Sequence, residues 1–260
     1  MQKFPTLFLS HGSPMHALNA GDAGDVWAAL AKNLPTPKAV LMVTAHWETN
    51  LPMLSGNAKP SMMYDFGGFP EKLYKIIYAA PGSPEIATQA LSFLKQAGFT
   101  AGIDGCRGMD HGTWVPLLKM YPDADVPIVQ LSVQPTMNPH HHVEIGHALA
   151  PLTREGVLIV GSGHLTHNLR DWMAARGQQS TLPYAVRFQD WVHEHLATHD
   201  IDALTHYREQ APEAERAHPT EEHFLPLFVA LGAAGENAKV ERVFDGFEGN
   251  ALAMDAYRFG

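Results

Sequence analysis

Four short apolar runs punctuate the chain: 6–10 (TLFLS), 39–45 (AVLMVTA), 126–133 (VPIVQLSV) and 157–163 (VLIVGSG). None alternates apolar with polar residues, so each reads as a strand buried on both faces, as in a sheet covered by helices. Between them, PEIATQALSFLKQAG (84–98) repeats its apolar residues at helical spacing. It is opened by Ser83-Pro84 and closed by Gly98, as a helix with proline in its first turn would be. Further helices are predicted at about 183–198 and 219–231. Two strand-like runs, KVERVFDGF and ALAMDAYRF, follow, and DGFEGN between them reads as a hairpin loop. The order predicts an α/β fold, a single domain with a central, largely parallel or mixed sheet flanked by helices. No low-complexity linker, charge block or internal repeat divides residues 1–260, so one domain is expected.

Segment 47–70, WETNLPMLSGNAKPSMMYDFGGFP, is longer than an ordinary connection. Its Met62, Met63, Tyr64, Phe66 and Phe69 predict a packed loop that covers something. Composition narrows the partners. With 18 basic against 27 acidic residues the formal charge is −9, which speaks against a nucleic-acid partner. A lone cysteine, Cys106, rules out an intramolecular disulfide and is expected to be buried; a reducing compartment follows. The opening MQKFPTLFLSHG lacks the length and cleavage site of a signal peptide. No stretch approaches the roughly 18 apolar residues of a membrane span, so a soluble, cytoplasmic protein without a membrane partner is expected.

The remaining oddity is 16 histidines. His11 follows the first apolar run, His46 ends the second, and His164 and His167 follow the run at 157–163. Residues at the carboxyl ends of strands in an open α/β sheet converge on one crevice although far apart in sequence. His111 sits in a Gly-flanked turn entering a helix (MDHGTW), and His218 and His223 lie in HPTEEHFLPLF. Together they predict a metal or acid/base cluster. The louder run His140, His141 and His142 reads instead as a solvated helix start, since consecutive helical residues point in different directions. GSG at 161–163 lacks the P-loop lysine, and SHGSP lacks the G-x-S-x-G elbow of a serine hydrolase.

In order along the chain, FLSHGSPM, VTAHWET, YDFGGFPEKLY, APGSP, MDHGTWVPL, VQLSV, GSGHLTHNL and HPTEEHFLPL resemble the class III extradiol ring-cleavage dioxygenases, and among them the DOPA-dioxygenase branch. The resemblance implies a metal held by His11, His46 and His223, an acid/base role for His167 and a second histidine, His111, donating a hydrogen bond to substrate or oxygen. Better-known members use a carboxylate as third ligand, so Glu221, Glu222 and His218 stay open beside His223. His164 is not carried over. Whether His167 also binds the metal stays open too.

Three ligands on one face of an octahedron leave positions for both catechol oxygens and O2, so Fe(II) is the expected cofactor, with Zn(II) able to occupy the isolated protein. Imidazole titrates near 6.5 and can take up and return a phenolic proton near neutral pH. Trp47, Tyr64 and Phe66 are candidate walls for the ring, and Arg170 is the candidate cation for the carboxylate of DOPA. A small-molecule catechol and O2 are the expected partners; the oligomeric state is left open. A three-histidine zinc hydrolase is the rival reading. A non-enzymatic binding protein on the same scaffold would be expected to lack His167 or His111.

Overall fold

The computed structural model describes residues 3–260. Its strands are β1 (Thr6–Ser10), β2 (Ala39–Glu48), β3 (Met53–Ser55), β4 (Gly102–Asp104), β5 (Ile128–Val133), β6 (Val157–Gly163), β7 (Val240–Phe244), β8 (Phe247–Glu248), β9 (Leu252–Ala253) and β10 (Ala256–Phe259). Eight of them form one sheet in the order β4-β3-β5-β2-β6-β1-β10-β7. The four strands anticipated from the apolar runs lie together as a parallel block, β5-β2-β6-β1. Antiparallel pairing of β3 with β5 and of β10 with β1 makes the whole sheet mixed.

Six helices of at least ten residues cover it: α1 (Gly21–Lys32), α2 (Pro84–Gln96), α3 (His111–Met120), α4 (Pro139–Leu149), α5 (Pro183–Ala197) and α6 (Leu225–Ala234). The absence of alternation in β1 now has its reason. Leu7 and Leu9 belong to the core on one face of the sheet, with Trp27 of α1 and Trp114 of α3, while Phe8 belongs to the core on the other, with Leu94 of α2, Ile145 of α4, Phe188 of α5 and Phe228 of α6. All ten residues of α6 are buried. It lies against α4 through paired glycines: a Cβ on Gly146 would strike the Val229 carbonyl, and one on Gly232 the Val143 carbonyl. Among the described residues, no helix is long and apolar enough to cross a membrane.

The structure departs from the sequence reading at several points. The helix expected from 219 begins only at Leu225, with Pro226 in its first turn, and 219–224 is a run of turns. The two C-terminal runs do pair, as β7 and β10, but DGFEGN is no simple hairpin loop, because β8 and β9 form a separate two-stranded ribbon there. Strands β3 and β4, three residues each, are too short to leave a periodic signal. Cys106 is exposed rather than buried.

Of the three consecutive histidines only His140 is exposed. His142 is fully buried, donating from Nδ1 to the Asn138 carbonyl (3.1 Å) and accepting from the Gln134 N–H at Nε2 (3.1 Å). His218 is also fully buried and donates from Nε2 to the Leu165 carbonyl (2.8 Å). Burial, as the largest cause, lowers the pKa of each to about 3.

Both therefore stay neutral in the folded chain while an unfolded histidine takes a proton near 6.5. Above that pH neither state binds the proton; below it only the unfolded state does, so stability falls as pH drops from about 6.5 toward 3. Each group should cost about 2–3 kcal/mol by pH 4.5. Urea midpoints measured from pH 7.5 to 4.5 should fall, and His142→Gln should flatten the slope; an unchanged slope would show that His142 is not a source of it.

Candidate metal centre

The crevice lies beyond the carboxyl ends of the parallel strands. His11 immediately follows β1, and its backbone N–H bonds the Gly163 carbonyl at the end of β6 (3.0 Å). His46 is turned by an irregularity in β2: the strand advances from Val43 to Glu48 while β5 advances only from Leu131 to Val133. Bulges of this kind re-aim side chains beside functional sites. Thr44, inside the bulge, accepts from the His46 N–H (3.2 Å) and donates to Asp110 Oδ1 (2.8 Å).

Asp110 caps α3 by accepting from Thr113 N–H and also pairs with Arg107 (2.9 Å). That cap fixes His111, the first residue of α3. Gly112 is required here, since a Cβ would come within 2.9 Å of the His46 ring.

His223 arrives from the turn before α6. The backbone N–H of His164 holds the His223 carbonyl (2.8 Å), that of His167 holds the Ala217 carbonyl (2.8 Å), and His218 bonds Leu165. A Cβ on Gly163 would meet the His223 carbonyl at 2.0 Å, so glycine is what lets this segment approach β6. His218 is thus a brace for the segment, its ring turned to Leu165 and stacked on Phe224.

The imidazole nitrogens of His11, His46 and His223 lie within 4.8 Å of one another. Nε2 of His11 and Nε2 of His46 face each other at 3.0 Å. Behind each ring the other nitrogen has a polar neighbour. Ser162 Oγ donates to the Gly112 carbonyl and accepts from His11 Nδ1 (3.0 Å). Glu222 Oε1 accepts from His223 Nδ1 (2.9 Å), and Asp65 Oδ2 lies 3.5 Å from His46 Nδ1. Protons drawn to the Nδ1 side leave three Nε2 lone pairs aimed inward, the arrangement of metal-binding histidines.

Nε2 of His223 is buried with no hydrogen-bond partner. An orphaned lone pair among imidazoles is what a bound cation would satisfy. Burial first, and repulsion from neighbouring imidazoles second, lowers the pKa of His11 and His223 well below the usual value and that of His46 to about 3, keeping all three neutral and able to ligate. The donor set fits a divalent transition metal.

His167 stacks on His223, rings 3.4 Å apart and 12° from parallel. His111 lies against His46 with centroids 4.0 Å apart. Phe66 meets His111 edge-on at 5.6 Å, and Tyr64 packs beside Phe66 with its hydroxyl donating to the Ile76 carbonyl (2.7 Å). The packed segment 47–70 therefore covers the histidine cluster. Trp47 is buried beneath the Arg107 guanidinium, 4.9 Å from the ring centroid. Arg170 is exposed just past Asn168, which caps a short helix (Leu169–Ala174).

Asp65, Ser162, Asp110 and Arg107 had no place in the sequence reading, because a hydrogen bond behind a ligand leaves no spacing pattern. Asp65, Ser162 and Asp110 do lie inside motifs named above, YDFGGFPEKLY, GSGHLTHNL and MDHGTWVPL, but only the histidines of those motifs stood out; Arg107 lies in none of them.

Residues 5–260 match the family of the catalytic LigB subunit of aromatic ring-opening dioxygenases. The chain belongs to that family. A 4,5-DOPA dioxygenase extradiol of Beta vulgaris is 41% identical over 98% of this chain and 96% of its own length. One of Escherichia coli K12 is 37% identical over 99% and 95%. The crystal structure of an uncharacterized protein of Escherichia coli K12 superposes with a TM-score of 0.84 at 33% identity, covering 99% of this chain and all of that one. This LigB-family member is an extradiol dioxygenase that opens a catechol ring with O2, as the resemblance implied, and the hydrolase and binding-protein readings fall away.

If the three convergent nitrogens hold the metal, His11→Ala, His46→Ala and His223→Ala should each purify with little or no bound metal. His218→Ala should keep its metal while losing stability. Elemental analysis and thermal melts separate these outcomes, and metal-free His218→Ala protein would move the third ligand to that residue.

Proposed function

We propose that the enzyme works with Fe(II) held by His11, His46 and His223 and acts on a small catechol bearing an amino-acid side chain, DOPA or a close analogue. The observation that carries this is the convergence of three bare Nε2 atoms with two further imidazoles, His111 and His167, at their side. Bound Fe(II) would offer its open positions to the two catechol oxygens and to O2. The names of the relatives in Beta vulgaris, Portulaca grandiflora and Escherichia coli support DOPA as substrate.

His167 is the acid/base residue in this reading. Burial first, and His111 second, lowers its pKa to about 4, so its ring is neutral at physiological pH and free to accept a catechol proton, which it can later return. His111 is the second imidazole for hydrogen bonding to substrate or oxygen. Phe66, edge-on to His111, is the wall nearest the chemistry, and Tyr64 backs it, whereas Trp47 packs beneath Arg107 instead of against Phe66. Arg170 is the cation for a substrate carboxylate.

Anaerobic reconstitution with Fe(II) should give O2 uptake on DOPA, and reconstitution with Zn(II) should not; uptake with neither metal across a panel of catechols would overturn the proposed chemistry. His167→Ala should keep its metal yet turn over roughly 100-fold to 10,000-fold more slowly. Loss of metal in that variant would make His167 a ligand instead.

For the substrate tail, Arg170→Met should raise KM for DOPA and leave a tail-less catechol unaffected. The lost charge-assisted hydrogen bond is worth about 1.5–3 kcal/mol. Equal effects on both substrates would remove Arg170 from recognition.

A further inference from the structure

Asp65 stands on the covering loop, yet its carboxylate reaches two histidines of the centre. Oδ1 accepts from the backbone N–H of His111 (3.0 Å) and from its Nδ1 (3.0 Å), while Oδ2 faces His46 Nδ1 at 3.5 Å. A carboxylate accepts and does not donate, so the hydrogen-bonded His111 ring is held with the proton on Nδ1 and the lone pair on Nε2. Oδ2, 3.5 Å from His46 Nδ1, favours the same form of His46 through its charge rather than through a hydrogen bond. For His46 that is the form a metal ligand needs. For His111 it makes Nε2 a hydrogen-bond acceptor, the reverse of the donor role expected from the sequence.

The loop that carries Asp65 is itself fastened to the start of α3. Met63 N–H bonds the Met109 carbonyl (2.7 Å), Met109 N–H bonds the Ser61 carbonyl (2.8 Å), and Trp114 Nε1 donates to the Met63 carbonyl (3.1 Å). Gly108 permits this contact, since a Cβ there would meet the Ser61 carbonyl at 2.6 Å. The carboxylate is thereby delivered at a fixed height between the two rings.

We propose that Asp65 is a positioning residue that selects one tautomer for both His46 and His111, so that the covering loop completes the metal centre and turns His111 into an acceptor for a catechol hydroxyl. The acceptor role rests on the dioxygenase reading; the effect on His46 does not.

Asp65→Asn is the sharpest test, because an amide of the same shape presents one acceptor and one donor where the carboxylate had two acceptors. Zn(II) affinity, measured by competition with a chromophoric chelator, should weaken by roughly 10-fold to 100-fold, the range for a group hydrogen-bonded behind a ligand. Nitrogen-15 spectra of the metal-free protein should show His46 and His111 each as the Nδ1–H form in the wild type, and a changed or mixed form in the variant. Asp65→Ala, which removes both acceptors, should repeat these changes.

Turnover of DOPA by the Fe(II)-loaded enzyme should fall in Asp65→Asn by a similar factor. The same substitution made in His111→Ala should cost markedly less, because the group through which Asp65 acts is already gone. Unchanged affinity and unchanged tautomers would overturn the proposal even if the enzyme is fully active. Equal losses with and without His111 would overturn the route through that ring. Wild-type protein inactive on every catechol would instead defeat the functional reading and leave the affinity and tautomer measurements to decide the effect on His46.

Discussion

A neutral imidazole has one proton and two nitrogens, and the centre of this protein is built around where that proton is kept. Three rings can aim bare Nε2 atoms at one point only if something on the far side of each ring claims the proton. Ser162, Asp65 and Glu222 do so for His11, His46 and His223, and each comes from a different part of the chain. Ser162 lies within β6, Asp65 on the covering loop and Glu222 in the turns before α6. The sheet, the loop and the last long helix must all be in place before the donor set exists. Burial reinforces the arrangement by keeping the rings uncharged, since protonating several imidazoles within 6 Å of one another would set like charges together in a poorly solvated space.

Glycine decides how closely these parts approach. Gly163 admits the carbonyl of His223 to the end of β6, and Gly112 lets α3 begin beside the ring of His46. Neither position has the positive φ that usually explains a glycine; at both, the missing Cβ makes room for a neighbour. At the other end of the same layer Gly146 and Gly232 bring α4 and α6 into backbone contact. The site is therefore continuous with the packing that holds the helices on the sheet.

How much of this the sequence disclosed follows from which interactions leave a pattern. His11, His46 and His167 were legible because buried parallel strands are apolar throughout and a polar residue at their carboxyl end stands out. The central strands and α2, with its Ser83 cap, were legible on the same grounds. The bulge that turns His46 inward was not, since an extra residue in a strand looks like any other residue.

His142 was misread, although the information was present: it shares a helical stripe with Ile145, Gly146 and Leu149, all buried. Two histidine neighbours obscured a spacing that a leucine would have made plain. The resemblance named His223 as the third candidate ligand, but residue spacing alone left His218, Glu221 and Glu222 beside it because the choice depends on which way a turn faces; here His218 bonds Leu165 while Nε2 of His223 has no partner.

The position of β1 carries a further consequence for how the molecule comes into being. The strand that His11 follows is made well before either of its neighbours, β6 some 150 residues later and β10 later still. Such distant pairings are slow to form, because a long loop must close before any contact rewards it. A nascent chain carries His11 and His46 long before His223, so the three nitrogens converge only once the sheet has closed. The donor set is thus a late product of folding, assembled only when β6 and β10 have come to flank β1.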